Sequence, residues 1–141
     1  MKSDNSVNYS EKNKILGTFG EHLTENHYKS QGYKILTKNF KHHGGEIDLI
    51  AQKNDIIVFI EVKTRENFED IHPSEVVDKI KRLKIIKTAK YFNFLNNYNE
   101  KDYYFRFDIA NIFIYNYPEK YKIEIFENCF DEKGKILWMI I

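Results

Sequence analysis

One cysteine, two prolines and six glycines are few for a chain of 141 residues, and each scarcity excludes something. The lone Cys129 rules out an intrachain disulfide framework. There are no internal repeats, low-complexity tracts or domain linkers, and no glycine-rich phosphate loop, so one continuous domain is expected. No apolar run approaches the ~20 residues of a membrane span. The polar start, Met1–Lys14, lacks the apolar segment of a signal peptide, which points to the cytoplasm and away from membranes. A formal net charge of +1 removes any global electrostatic case for nucleic acid, so a basic surface must be local. What the chain does have is 42% hydrophobic residues, with 10 Tyr and 11 Phe, enough for a single sizeable and partly aromatic core.

The most informative stretch is Gly44–Arg65, GGEIDLIAQKNDIIVFIEVKTR. Two runs dense in Ile, Val, Leu and Phe, Glu46–Ala51 and Ile56–Lys63, flank the polar break Lys53-Asn54-Asp55 and predict an antiparallel hairpin. With Asn54-Asp55 as a two-residue loop, Lys53 faces Ile56, Asp48 faces Glu61 and Glu46 faces Lys63. All four charges then share one face, because strand side chains alternate with a period of two. Apolar residues on both faces nearer the turn predict a hairpin buried on both sides, with the acids at one end of a central element.

Opposed carboxylates repel, and more so where desolvated, so something positive belongs between them. Lys63 is one candidate and a divalent cation the other. Hard cations such as Mg²⁺ take one or two protein carboxylates, with phosphate oxygens and waters completing the shell. Asp48, Glu61 and the Val62 carbonyl could supply such a site, leaving Lys63 to orient or activate a water. The competing structural reading is an ion pair of Glu46 with Lys63 in an ordinary sheet.

Asp48, followed thirteen positions later by Glu61-Val62-Lys63, matches the D…(D/E)-x-K signature of restriction-endonuclease-like nucleases. The longer pattern resembles the YraN-like family, grouped with Holliday-junction resolvases by fold. It comprises GEIDLIA…VFIEVKTR together with Gly17-Thr-Phe-Gly-Glu21, Gly32-Tyr33-Lys-Ile-Leu36, Asn39, a Val77…Lys81 helix start and Arg106-Phe107-Asp108. The resemblance runs from about Gly17 to Phe130. It implies an α/β fold with a restriction-endonuclease-like mixed β-sheet flanked by helices, and hydrolysis of phosphodiester bonds in DNA with Mg²⁺ or Mn²⁺. It also implies that an acid of the first helix, Glu21, joins Asp48 and Glu61 at the metal, with Lys63 beside them; in that reading Glu46 either supports the metal ligands from behind or holds a second metal. Without the resemblance, Glu21 reads as a solvated helix glutamate. Thr24 departs from the family, where alanine is common, a change expected to act on packing.

Elsewhere the pattern predicts a polar, flexible arm over 1–10, a domain over 11–130 and an extension over 131–141. Ile15/Leu16, Phe19, Leu23 and Tyr28 recur at helical spacing from Glu11 to Ser30, and Gln31-Gly32 ends that helix. Tyr33–Phe40 reads as a first strand, followed by a Lys41–Gly45 loop. Its histidines, His42 and His43, cannot converge on one ion as consecutive residues, and are expected in the loop, within reach of a phosphate. Gly44-Gly45 suits a bend feeding the acid strand. A polar connection over Glu66–His72 leads to Pro73-Ser74, which predicts the start of a long helix to about Asn96, with a stripe of Val76/Val77, Ile80, Leu83, Ile86, Ala89, Phe92 and Leu95.

That helix carries Lys79, Lys81, Arg82, Lys84, Lys87 and Lys90 against Asp78 alone. The six are either a solvated face or contacts to a phosphate chain. Tyr103–Tyr115 and Tyr121–Asn128 predict two more strands joined by Asn116–Lys120, with Asp108 paired to Arg106 or a lysine. The apolar ending Lys133–Ile141 is expected to pack on the core or to make a subunit contact, as in a homodimer. Three functions remain in view: a nuclease acting on DNA rather than RNA, a catalytically silent nucleic-acid-binding module of the same fold, and an assembly protein whose acids and lysines form a salt-bridge network.

Overall fold

The computed structural model describes residues 5–66, 77–116 and 120–137, and the side chains of all of these except 5–10 and 116. The order of elements is α1 (Asn5–Ser30), β1 (Lys34–His42), β2 (Gly45–Lys53), β3 (Ile56–Arg65), α2 (Lys79–Asn96), β4 (Tyr104–Asn116) and β5 (Lys120–Phe126). Among the described residues the order is helix, three strands, helix, two strands, as expected. The five strands form one mixed sheet in sequence order, antiparallel throughout except for the parallel pair β3 and β4. That pair needs a crossover, and the segment containing α2 supplies it.

β3 is the centre of the sheet. Ile57, Val58, Phe59 and Ile60 are all buried, so both its faces are covered, as a continuous β-branched and aromatic run demands. On one face Ile57, Phe59, Phe107 and Ile109 pack under α2 through Ile85, Ile86, Ala89 and Phe92. On the other, Leu49, Val58, Ile60 and Ala110 pack against Tyr28 of α1, and Ile112 and Ile114 against Leu16.

α1 begins at Asn5, inside the stretch read from sequence as an arm, so the polar residues 5–10 extend the helix beyond its apolar positions. A close approach fixes its seat on the sheet. A Cβ added to Gly20 would lie 2.0 Å from Thr64 Oγ1, so only glycine lets the helix rest on the end of β3. Thr24, fully buried, donates its hydroxyl to the Gly20 carbonyl at 2.8 Å, within the packing of α1 on the sheet.

The expected opening of the second helix at Pro73-Ser74 lies outside the described residues, as do most of the Glu66–His72 connection and the centre of the Asn116–Lys120 joint. Within them, α2 starts at Lys79, capped by Asp78, whose Oδ1 accepts the Lys81 N–H at 2.8 Å. The apolar stripe is narrower than the sequence pattern indicated. Ile85, Ile86, Ala89 and Phe92 face the sheet, whereas Ile80, Leu83 and Leu95 fall outside that arc and are exposed. β1 runs on through His42, so the turn to β2 is shorter than the expected loop, and His42 is a strand residue. Beyond β5, Phe130 pairs with Ile136, and Ile136 packs on the core beneath α2. The ending therefore packs inward as far as Leu137; Trp138–Ile141 lie outside the described residues.

The Arg106-Phe107-Asp108 element is structural. Arg106 grips Asp108 through Nε to Oδ1 at 2.9 Å and Nη2 to Oδ2 at 2.8 Å. The Tyr28 hydroxyl donates to the same carboxylate at 2.7 Å and the Asn128 N–H at 3.0 Å, so a fully buried acid has all its partners.

Candidate active site

The β2–β3 ladder has the register read from the sequence, Lys53 with Ile56 through Leu49 with Ile60, and it ends there. One residue further the strands carry Asp48 and Glu61. Asp48 Oδ2 accepts the Val62 N–H at 2.7 Å, so a side chain replaces the backbone bond and the two strands diverge around the acids. Glu46, expected opposite Lys63, pairs instead with Lys41 of β1, because the divergence carries the start of β2 away from β3. Gly45 permits this path: its added Cβ would meet Thr88 Oγ1 at 2.0 Å and the Lys84 carbonyl at 3.1 Å, so the start of β2 lies tight against α2.

The divergence opens a cavity of about 410 Å³ lined by Glu46, Asp48 and Glu61 from the strands and by Asp78, Lys81 and Lys84 from α2. Glu61 is buried and Asp48 half-buried. Burial, the Asp48 charge and a hydrogen bond between the two carboxyls push Glu61 up to about 7. Asp48 is also raised, chiefly by burial, against the pull of the Val62 N–H. Both acids are therefore harder to ionise than free carboxyls, in the direction expected when two carboxylates are opposed and desolvated.

Lys81 is the positive group that sequence reasoning placed elsewhere. Its Nζ lies 2.5 Å from Glu61 Oε1, so the ammonium on Glu61 comes from α2 and not from the neighbouring strand position. The pairing holds Lys81 above its ordinary value despite the cost of burial. Lys63 and Glu21 line a second hollow, with Leu16, Gly17 and Val62 to Glu66, at the junction of α1 with the end of β3. Glu21 is raised by burial and then by Asp48 and Glu46, so it shares the field of the acid pair without joining it. Among the described residues, no three of His, Cys, Asp and Glu stand close enough together to hold a metal between them. Asp48 and Glu61 nevertheless fit a hard cation as two carboxylate ligands, the number such ions commonly take from protein.

Asn111 is a further polar group that the sequence did not single out. Fully buried, it pairs by register with Lys63 on β4, and its amide has no hydrogen-bond partner among the described residues. The basic helix divides. Lys81 serves Glu61, and Arg82 donates to the carbonyls of Gly134 at 3.0 Å and Val77 at 2.8 Å. Lys79, Lys84, Lys87 and Lys90 are exposed. No helix among the described residues is long and apolar enough to cross a membrane.

Residues 20–112, which include both acids, Glu21, Lys63 and the whole of α2, match the family described as Uncharacterised protein family UPF0102. A UPF0102 protein of Clostridium novyi (strain NT) is 42% identical over 118 residues, covering 84% of this chain and 97% of the relative. One of Clostridium botulinum (strain 657 / Type Ba4) is 40% identical over 118 residues, covering 84% and 95% respectively. The match takes in the second part of α1, the acid hairpin, the basic helix and β4 as far as Ile112, and so the chain belongs to the UPF0102, or YraN-like, family.

Proposed function

We propose that this chain is a metal-dependent nuclease that hydrolyses phosphodiester bonds in DNA, with branched or repair intermediates as the substrate class. The observation that carries the reading is the Asp48–Glu61 pair, two carboxyls brought together where the strands diverge, both raised by burial and Glu61 also by Asp48, a cost that Lys81 offsets only in part and a divalent cation would neutralise. Asp48 and Glu61 would hold Mg²⁺ or Mn²⁺, with Glu21 adjusting the charge of the site from α1 and Glu46 supporting from its rim. The bound ion would polarise a phosphate oxygen and acidify a water. Lys63 would orient the attacking water and offset negative charge growing on the phosphate. Exposed Lys79, Lys84, Lys87 and Lys90, with Lys81 and Arg82 among them on α2, would attract the phosphate chain; their charge is local in a molecule of net charge +1.

A second reading draws on the Lys81–Glu61 ion pair, which is what a salt-bridge network in an assembly protein would contain. Labelled branched, nicked, linear and single-stranded DNAs, with an RNA control, incubated with Mg²⁺ or Mn²⁺, decide between the two. The nuclease reading expects metal-dependent cleavage that Asp48→Asn and Glu61→Gln abolish. Binding without cleavage in every arm supports a catalytically silent module, and neither binding nor cleavage supports the assembly protein.

A further inference from the structure

We infer that the rings of Phe40, Tyr91, His42 and His43 form a stacking platform for an unpaired nucleotide at the mouth of the acid cavity, an inference that rests on the nucleic-acid substrate proposed above. The row is anchored at its inner end. Phe40 packs edge-on against the core residue Phe92 at 5.2 Å and lies roughly parallel to Tyr91 at 6.3 Å. His42 stacks flat on Tyr91, with ring centroids 3.4 Å apart and planes inclined by 10°. The exposed His43 ring comes next, edge-on to His42, with centroids 4.1 Å apart and planes inclined by 69°. The row thus runs from three half-buried rings to one exposed ring, and exposed aromatic faces are what single-stranded bases stack on.

Two further observations connect the row to the site. His43 has φ of 44°, a left-handed conformation unusual for a residue with a side chain, and it opens the turn that leads through Gly44 and Gly45 into the cavity wall. Two lysines of α2 lie near the rings and the cavity. Lys87, one helical turn before Tyr91, lies near enough to His42 to help burial and His43 hold that imidazole below its ordinary value. Lys84 lines the cavity itself. A base on His43 would thus set its own phosphate toward Lys87 and Lys84 and the next one toward Asp48 and Glu61. The ligand class is an unpaired nucleotide in DNA or RNA, since every base offers a π face.

The test is fluorescence anisotropy in EDTA with a labelled single-stranded DNA, the same sequence as RNA, and a blunt duplex, which isolates binding from cleavage. The wild type is expected to bind single strands more tightly than duplex. The double substitution His42→Ala, His43→Ala should weaken single-strand binding by roughly tenfold or more, the scale of one base stacked on a ring, with little change on duplex. His42→Phe with His43→Phe should restore it, because phenylalanine keeps the stacking surface. Equal losses on duplex and single strand, no loss on either, or no rescue by phenylalanine overturns the platform. A wild type that ignores single strands overturns it as well. Absence of cleavage in the metal panel would remove the nuclease reading while leaving this result standing, and the tighter of the two single strands identifies DNA or RNA as the source.

Discussion

Lys81 reaches from the first turn of α2 to place its ammonium 2.5 Å from Glu61, where a divalent cation would otherwise find a carboxylate free. An ammonium and a metal ion compete for the same oxygens. Lys81→Met keeps most of the stem's packing and removes the charge. Its Mn²⁺ affinity, measured by titration calorimetry at pH 8.5 where Glu61 is ionised, is expected to rise by on the order of tenfold, about 1.4 kcal/mol. Unchanged affinity would mean that the cation does not use Glu61.

The acid pair also makes stability depend on pH. Glu61 rises from an ordinary 4.5 to about 7 in the folded chain, and Asp48 is raised as well. Between these values the folded state binds more protons than the unfolded one. The contribution is fully present below about pH 4.5 and is lost as pH climbs through 7, at a slope of at most ~1.4 kcal/mol per pH unit for one proton. Metal affinity should move oppositely and strengthen across the same window, because the ligands must lose their proton. Urea denaturation and calorimetry at pH 5, 6, 7 and 8 read both trends, and Glu61→Gln should flatten them.

Lys63 separates chemistry from architecture. It lines the hollow beside Glu21 and is half-buried. Lys63→Ala and Lys63→Met should fold, keep or slightly improve metal affinity, and lose most cleavage. Were Lys63 instead the ion-pair partner of a buried acid, Lys63→Ala would cost ~3–5 kcal/mol, visible as a large fall in denaturation midpoint.

The basic residues of α2 should fall into two classes. Neutralising exposed Lys84 and Lys87 should leave stability nearly unchanged and weaken DNA binding at all sequences, flattening its salt dependence by about one unit per lost phosphate contact. Arg82→Ala should act on stability, because it leaves the Gly134 and Val77 carbonyls without their donor, at a cost of ~1–3 kcal/mol. Anisotropy against salt, set beside thermal melts, distinguishes the classes; a salt slope unchanged by losing both lysines would make this helix a solvated face.

Asp108 tests the view that the Arg-Phe-Asp element is scaffold. Asp108→Ala strands the half-buried Arg106 and removes the acceptor of Tyr28. A loss of about 3–5 kcal/mol is expected, with metal affinity of the surviving folded fraction unchanged.

The sequence by itself determined the order of elements, the hairpin and its register. Period-two alternation in Glu46–Lys63 and the polar Asn54-Asp55 turn are local signals, and a slip of one residue would have moved Ile57 and Phe59 from the α2 face to the α1 face and separated Asp48 from Glu61. It also placed Asp48 against Glu61, because that opposition follows from the register alone. Only the tertiary structure decided which cation meets them. Lys63 lies two residues from Glu61 in the chain, yet the ammonium on Glu61 comes from Lys81, twenty residues away, because the parallel pairing of β3 with β4 brings the helix between them over the sheet. The same crossing sorted the basic helix into two engaged cations and four exposed ones, and left Ile80 and Leu83 outside the core arc. Helical spacing predicts a face, but the angle at which a helix crosses a twisted sheet decides which part of that face is buried. The divergence of β2 from β3 beyond Leu49 was equally hidden, since it depends on Gly45 lying against Thr88 and on the Asp48 side chain taking the Val62 N–H, contacts between residues far apart in sequence.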